Sequence, residues 1–380
     1  MPGFELIDKK EKNALNKIFD EGGILFAHGF EKFRKKFHVR EFENLTKKKM
    51  KSKYALAVTS GTSATKIALK AMGVKKGDEV ITQAFNFIAT VEAIIETGAK
   101  AVVVNVDKSL NMCPLDLEKK INKKTKVIIP VHMLGVSAKM SQIMKIAKKY
   151  KLKVLEDNCE SMGAKYKKNY LCNIGDAGVV SFDFGKTITC GEGGMILTKN
   201  KLIDKYAREY HDHGHELNPK YPRGLDTRTI SGFNYRMTEM QAVVGKIQLK
   251  RLDTIIKENK KRYLGLYKNI LNKSKKIEFR EIPKHSEPIY DTLIIFVKNK
   301  DLRKKIVKLL KKSGIGTKNL PDAINWHCAS WWDHAISKDQ ISKIVSTKKL
   351  LQSAIAIPIW LKKSVTEYNI VANKINKLVI

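Results

Sequence analysis

From Tyr54 onward, short apolar runs alternate with amphipathic stretches. Tyr54–Val58, Glu79–Thr82, Lys100–Val106, Lys126–Val131 and Leu152–Asp157 are short and apolar, several of them rich in valine and isoleucine, which predicts strands. The run after Lys100 is almost pure valine, as expected of a sheet covered on both faces. Between the runs, Ala64, Ile67, Ala68, Ala71 and Met72 fall on one face of a helix, and so do Met140, Ile143, Met144 and Ala147. Strand and helix in alternation predict a parallel, doubly wound α/β sheet. A further buried strand is expected over Val179–Phe184. It gives out at Gly185-Lys186, and a Gly-Glu-Gly-Gly turn then leads to an apolar run at Met195–Leu197.

The flanks read differently. Residues 1 to about 50 are polar and helical in pattern, broken at Gly22-Gly23. Lys201–Tyr210 predicts a helix, and Thr238-x-x-Gln241 is a capping box opening a long helix through Val243, Val244, Ile247 and Leu252. From about Lys250 the pattern becomes α+β. A strand is expected at Asp291–Val297, a helix at Asp301–Lys312 and another strand at Ile315–Leu320. A chain of 380 residues is long enough for more than one domain. The expected division is a large domain at 1–250, with an N-terminal covering segment, and a smaller α+β domain at 251–380.

Composition narrows the class. With 43% hydrophobic and 8% aromatic residues, the chain is globular and not disordered. A net charge of +35 invites a nucleic-acid reading. The lysines are dispersed, however, as at Lys47–Lys49, Lys148-Lys149, Lys260-Lys261 and Lys311-Lys312, with no basic arm or recognition motif. No specific nucleic-acid partner is expected, and attraction of anionic sugars is a secondary effect of the charge. The start, MPGFELIDKK, lacks the apolar region of a secretory leader, and no apolar run is long enough to cross a bilayer. Five cysteines form no C-x-x-C pair, which fits a reduced cytoplasm. Cys190 reads either as a reactive thiol or as a small buried filler.

Candidate chemistry gathers where strands end. Lys186 reads as a solvated loop lysine or as a desolvated amine of lowered pKa, able to form a Schiff base with a carbonyl cofactor. Asp157 ends another apolar strand, where carboxylates point into ligand crevices. Together they make the pairing that pyridoxal phosphate requires. Ser60-Gly61-Thr62, between a strand and a helix, reads as an anion site or as ordinary N-capping. Phe85 and Phe87 follow a strand end and could stack on a cofactor or sit in the core. His132, at another strand end, reads as lining the site or as a hydrogen-bonded core histidine. In His211-Asp212-His213-Gly214-His215, no further cysteine or carboxylate cluster completes a metal site, so a loop is expected and no metal. Trp326-His327 and Trp331-Trp332-Asp333-His334 read as sugar contacts or as core anchors.

VLEDNCESMGA followed by SFDFGKTITCGEGG resembles the DegT/StrS family of pyridoxal-phosphate-dependent sugar aminotransferases. The resemblance runs nearly the whole chain, from MPGFEL to AIAIPIW. It implies the type I aminotransferase fold, with Lys186 bonded to the cofactor and Asp157 on the pyridine nitrogen. Phe87 would stack on the ring. Ser60, Gly61, Thr62 and Ser181 would form the phosphate cradle, joined by Asn234 reaching across from the neighbouring subunit of a homodimer. The implied amino donor is glutamate, and the freed lysine would move the proton. Glu160 departs from the pattern, since many relatives have glutamine or histidine there, next to the cofactor hydroxyl. The family's dehydratases have histidine in place of the lysine, so Lys186 implies transamination.

MPGFEL, SFDFGKTITCGEGG, HDHGHE and INWH are most similar to family members that aminate the C8 aldehyde of an oxidised 3-deoxy-manno-octulosonate (Kdo), a lipopolysaccharide sugar. Arg236, Arg223 and His215 are candidates for its carboxylate. The alternatives are a nucleotide 4- or 3-ketosugar substrate in surface polysaccharide synthesis, and a regulator that binds pyridoxal phosphate without turnover.

Overall fold

In the structure, a computed structural model that describes residues 3–271 and 276–379, the α/β alternation forms a seven-stranded sheet. Met1 and Pro2 of the MPGFEL motif lie outside the described residues. Helix α1 (Lys9–Asp20) opens on a capping box in which Asp8 and Glu11 satisfy each other's backbone amides. Gly22 and Gly23 follow with positive φ, breaking the helix where the sequence predicts. Helix α2 (His38–Met50) has no local cap. Its first amides, His38 N and Val39 N, donate instead to Glu239, some 200 residues away.

The chain then alternates: β1 (Tyr54–Val58), α3 (Gly61–Ala71), β2 (Glu79–Gln83), α4 (Ala89–Ile95), β3 (Lys100–Val104), α5 (Pro114–Lys120), β4 (Thr125–Ile129), α6 (Met140–Lys149) and β5 (Lys153–Asp157). A small hairpin, β6 (Lys165–Tyr166) and β7 (Asn169–Tyr170), precedes β8 (Ala177–Ser181) and β9 (Gly194–Thr198). The sheet order is β1-β9-β8-β5-β4-β2-β3. All neighbours are parallel except β9, which runs antiparallel to both β8 and β1. Side-chain alternation splits the core in two. Val80, Val127 and Leu155 pack on one side with Ile67 of α3 and Val91 of α4. Ile81, Ile128 and Val154 pack on the other with Leu117 of α5 and Ile143 of α6. Each such residue contributes about 1.5–3 kcal/mol.

After α7 (Lys201–Tyr210), the long α8 (Glu239–Leu271) runs unbroken through residue 250. Its first half, with Leu249 and Leu252, packs on Val39 and Phe42 of α2. Leu266 and Ile270 in its second half pack on a smaller core. That core lies between α8 and the sheet β10 (Glu278–Phe279), β12 (Thr292–Phe296) and β13 (Ala354–Pro358), with α9 (Lys300–Lys312) and α13 (Val365–Val379). β11 (Ser286–Glu287) leaves this sheet and pairs with β6 instead.

The strand expected at Ile315–Leu320 does not form. Gly314, Gly316 and Asn319 take positive φ, which breaks the extended run, and only isolated bonds such as Lys318 N to Ala356 O join it to β13. The following α10 (Ile324–His327), α11 (Lys338–Ser342) and α12 (Val345–Ser353) pack on the large core through Cys328, Trp332, Ile344 and Leu351. Gln340 closes the outer edge of β3, accepting from Val103 N at 2.9 Å and donating to Ala101 O at 3.0 Å. Among the described residues no helix is long and apolar enough to cross a membrane.

Candidate active site

A cavity of about 470 Å³ opens where β5, β8 and the start of α3 meet. It gathers residues from distant parts of the chain because parallel strands present their C-terminal ends to one side of the sheet. Ser60, Gly61, Thr62, Phe87, Asp157, Glu160, Ser181 and Lys186 all line it. Asn234 does not: it is exposed on the 212–236 loop, and its Oδ1 accepts from Arg236 N at 3.4 Å.

At the cavity's α3 end, Ser60 is the N-cap, accepting from Ser63 N at 3.1 Å. The capping reading of this turn therefore holds. It leaves the first two amides, Gly61 N and Thr62 N, with no acceptor among the described residues. Two aligned amides at the positive end of an eleven-residue helix suit an oxyanion. Gly61 is required by close approach: a Cβ there would lie 2.8 Å from Ser181 Cβ and 3.0 Å from Cys159 Sγ.

Asp157 ends β5, 4% exposed. Thr90 Oγ1 donates to its Oδ2 at 2.8 Å and Cys159 N to its Oδ1 at 3.1 Å. Two donors fix the orientation of the carboxylate at the cavity, and each oxygen keeps a lone pair that can accept from a ring N–H. The donor set, the open amides, the half-exposed Phe87 and the lysine together fit pyridoxal phosphate.

Lys186 lies five positions beyond the end of β8, in a loop turned by Asp183, whose side chain accepts from Gly185 N at 2.9 Å. The covering segment reaches this loop: Gly3 N donates to Lys186 O at 3.3 Å, and Phe4 stacks on Phe184 at 5.0 Å. Burial alone would lower the lysine's pKa, as the sequence reading expects. The structure reverses that expectation. Glu160 Oε1 lies 3.9 Å from Nζ, and with Asp183 and Asp157 it pulls the amine's pKa above its ordinary value. Glu160 responds in kind. Burial would raise its carboxyl, but Lys186, Lys318 and His327 hold it down at about 2.

Several expectations fall elsewhere. His132 belongs to the core: its Nδ1 accepts from Ala138 N at 3.0 Å, so Nε2 carries the proton, 3.2 Å from buried Glu156. Arg223 and Arg236 do not line the cavity. Both pair with fully buried Asp212, each at 2.6 Å, and hold its carboxyl well below the usual range although burial opposes them. His215 sits 3.4 Å from Asp226. Among the described residues no group of three or more His, Cys, Asp or Glu is placed to hold a metal. Cys190 is buried, and burial raises its thiol well above the usual range, as befits a filler. Trp332 is core and Trp326 is 61% exposed.

Thr90 and Asn319 also line the cavity, as does His327, which the sequence leaves open between a sugar contact and a core anchor. Only His327 carries a signal, its place in the INWH cluster. It donates from Nδ1 to Ala323 O at 2.8 Å and has no protein partner for Nε2 among the described residues.

A family model described as the DegT/DnrJ/EryC1/StrS aminotransferase family matches residues 10–376. GDP-perosamine synthase of Escherichia coli O157:H7 is 34% identical over 284 residues, covering 74% of this chain and 73% of the relative. Among solved structures, 3-amino-5-hydroxybenzoic acid synthase superposes with a TM-score of 0.84 at 26% identity, over 100% of this chain and 98% of that one. GDP-4-keto-6-deoxymannose-3-dehydratase with a trapped PLP-glutamate geminal diamine superposes at 0.81 with 22% identity, over 99% and 98%, a likeness of fold.

Proposed function

Since this chain belongs to the DegT/DnrJ/EryC1/StrS aminotransferase family and is a pyridoxal-phosphate-dependent transaminase, we propose that it moves an amino group from glutamate to a sugar carbonyl, with Lys186 and Asp157 as its catalytic residues. The observation that carries this reading is their convergence on one cavity with the open amides of Gly61 and Thr62. When bound, pyridoxal phosphate supplies a carbonyl that exchanges amines and a pyridine ring that takes up electron density. The protein's part follows from its own groups. Asp157, oriented by Thr90 and Cys159 N, would accept the ring N–H. Gly61 N, Thr62 N and the hydroxyls of Ser60, Thr62 and Ser181 would hold the phosphate. Phe87 would cover one ring face, and Glu160, 3.9 Å from Lys186 Nζ, would lie on the cofactor side of the lysine. Lys186 would serve as the general base and acid that takes a proton from the donor's carbon and returns it.

Asn234 lies outside the cavity of its own chain, which supports the reading that it completes a neighbouring subunit's phosphate cradle in a homodimer. Residues 1–250 form the cofactor-holding unit in this reading, and 251–380 the smaller one.

For the acceptor, we propose the C8 aldehyde of an oxidised Kdo, in lipopolysaccharide synthesis. Support comes from the INWH segment, whose His327 lines the cavity. A nucleotide ketosugar is the second reading, and it is favoured by the likeness to GDP-perosamine synthase. Steady-state comparison of the two substrate types with glutamate tests both. A higher kcat/KM for the ketosugar would overturn the Kdo reading. Lys186→Ala should lose turnover and the cofactor's visible band, and an alanine variant that transaminates at the wild-type rate would overturn the site itself. Binding without turnover on any sugar would mark a regulator.

A further inference from the structure

Among the described residues, Glu160 is the one carboxylate within 4.0 Å of Lys186 Nζ, and it is firmly held. Its side chain is 9% exposed. Oε2 accepts from Leu134 N at 3.2 Å, and Oε1 accepts from Asn319 Nδ2 at 3.3 Å. Both anchors are themselves fixed. The buried guanidinium of Arg280 donates to Met133 O at 2.7 Å and to Leu134 O at 3.2 Å. Asn319 follows Lys318, whose ammonium meets buried Asp291 at 2.7 Å. A carboxylate clamped from two sides and facing an amine in a mostly buried site does not drift away when the amine's charge changes. It therefore sets that charge.

We propose that Glu160 is a positioning residue for Lys186, holding its amine as an ammonium aimed into the cavity, and that this ion pair gates the amine's reaction with a carbonyl. The proposal rests on the reading that Lys186 takes the cofactor. An ammonium cannot attack. It first loses one proton to solvent, the neutral amine then adds to the aldehyde carbon, and water leaves as the carbon–nitrogen double bond forms. Glu160 opposes the first of these steps.

The other groups facing Lys186 do not duplicate it. From β5 and the loop after it come Asp157, already committed to Thr90 and Cys159 N, and the Cys159 thiol, kept neutral by burial. Asp183, on the lysine's own loop, accepts from Gly185 N. Burial raises the carboxyl of Glu192, in the turn before β9. From α10, His327 is held toward the neutral form by burial. Contact with the ammonium falls to Glu160.

Loading of pyridoxal phosphate onto the cofactor-stripped full chain, followed by visible absorbance across pH, tests this. Glu160→Gln should load about tenfold faster at neutral pH, with its rate profile displaced about one unit toward acid. A purely structural role would not move that midpoint. Asn319→Ala, which removes an anchor but no charge, should shift the profile the same way by less, and it serves if Glu160→Gln does not fold. A profile superimposable on wild type in either variant overturns the proposal while leaving Lys186 in place. A band formed equally well by Lys186→Ala overturns instead the reading on which it rests.

Discussion

Thr90 donates its hydroxyl proton to Asp157 Oδ2 at 2.8 Å, joining the start of α4 to the end of β5 across 67 positions of sequence. Both groups are nearly buried, at 5% and 4% exposure. The contact orients the carboxylate at the cavity, where it would pair with a pyridinium nitrogen.

Thr90→Val should therefore weaken pyridoxal phosphate binding by on the order of tenfold, since a hydrogen bond to a charged group contributes about 1.5–3 kcal/mol. Thr90→Ser should restore most of the affinity. Equilibrium titration of the stripped protein measures it, and a valine variant with wild-type affinity would remove Thr90 from the site.

Asp157→Asn should keep the fold, because the amide oxygen still accepts one of the two donors. It should slow the single-turnover half-reaction with glutamate by roughly 100-fold or more, since an amide cannot hold the ring nitrogen protonated. Wild-type single-turnover rates would exclude Asp157 from catalysis.

Gly61→Ala should cost about 1–3 kcal/mol, because the new methyl meets Ser181 Cβ at 2.8 Å and Cys159 Sγ at 3.0 Å. Urea unfolding checks this. Ser181→Gly in the same chain should recover part of the loss by clearing the first of those contacts.

Acid should reveal Glu160. Its carboxyl is at about 2 in the folded protein, against 4.5 ordinarily, because Lys186, Lys318 and His327 outweigh burial. A depressed pKa stabilises fully above the unfolded value, and the stabilisation is lost as pH falls from 4.5 through 2. The difference is worth roughly 3 kcal/mol. Unfolding free energies of the stripped protein should fall less between pH 6 and pH 3 in Glu160→Gln than in wild type. Parallel losses would show that the ion pair contributes nothing.

The charge of +35 should not produce selective nucleic-acid binding. Binding to duplex DNA should be independent of sequence and should disappear steeply with added salt. A complex that is sequence-selective and persists at high salt would contradict this.

By itself, the sequence determined the alternation of strands and helices, the capping of α3 and α8, and the placing of Asp157 and the Lys186 loop beyond strand ends. Each of these is local. Periodicity and caps act within a few residues, and burial of an apolar face follows from them. The tertiary structure decided which of these positions meet. It brought Glu160 to 3.9 Å from Lys186 and so turned an expected lowered pKa into a raised one. It set Thr90 against Asp157, drew Asn319 and His327 to the cavity, enclosed His132 with Glu156, and spent Arg223 and Arg236 on Asp212. It also dissolved the strand expected at Ile315–Leu320, where positive φ at Gly314, Gly316 and Asn319 overrides an apolar run. The physical reason is distance along the chain. Charge and hydrogen bonding depend on separations of a few ångströms between residues far apart in sequence, and those separations are set by sheet order and strand register, which no local pattern records.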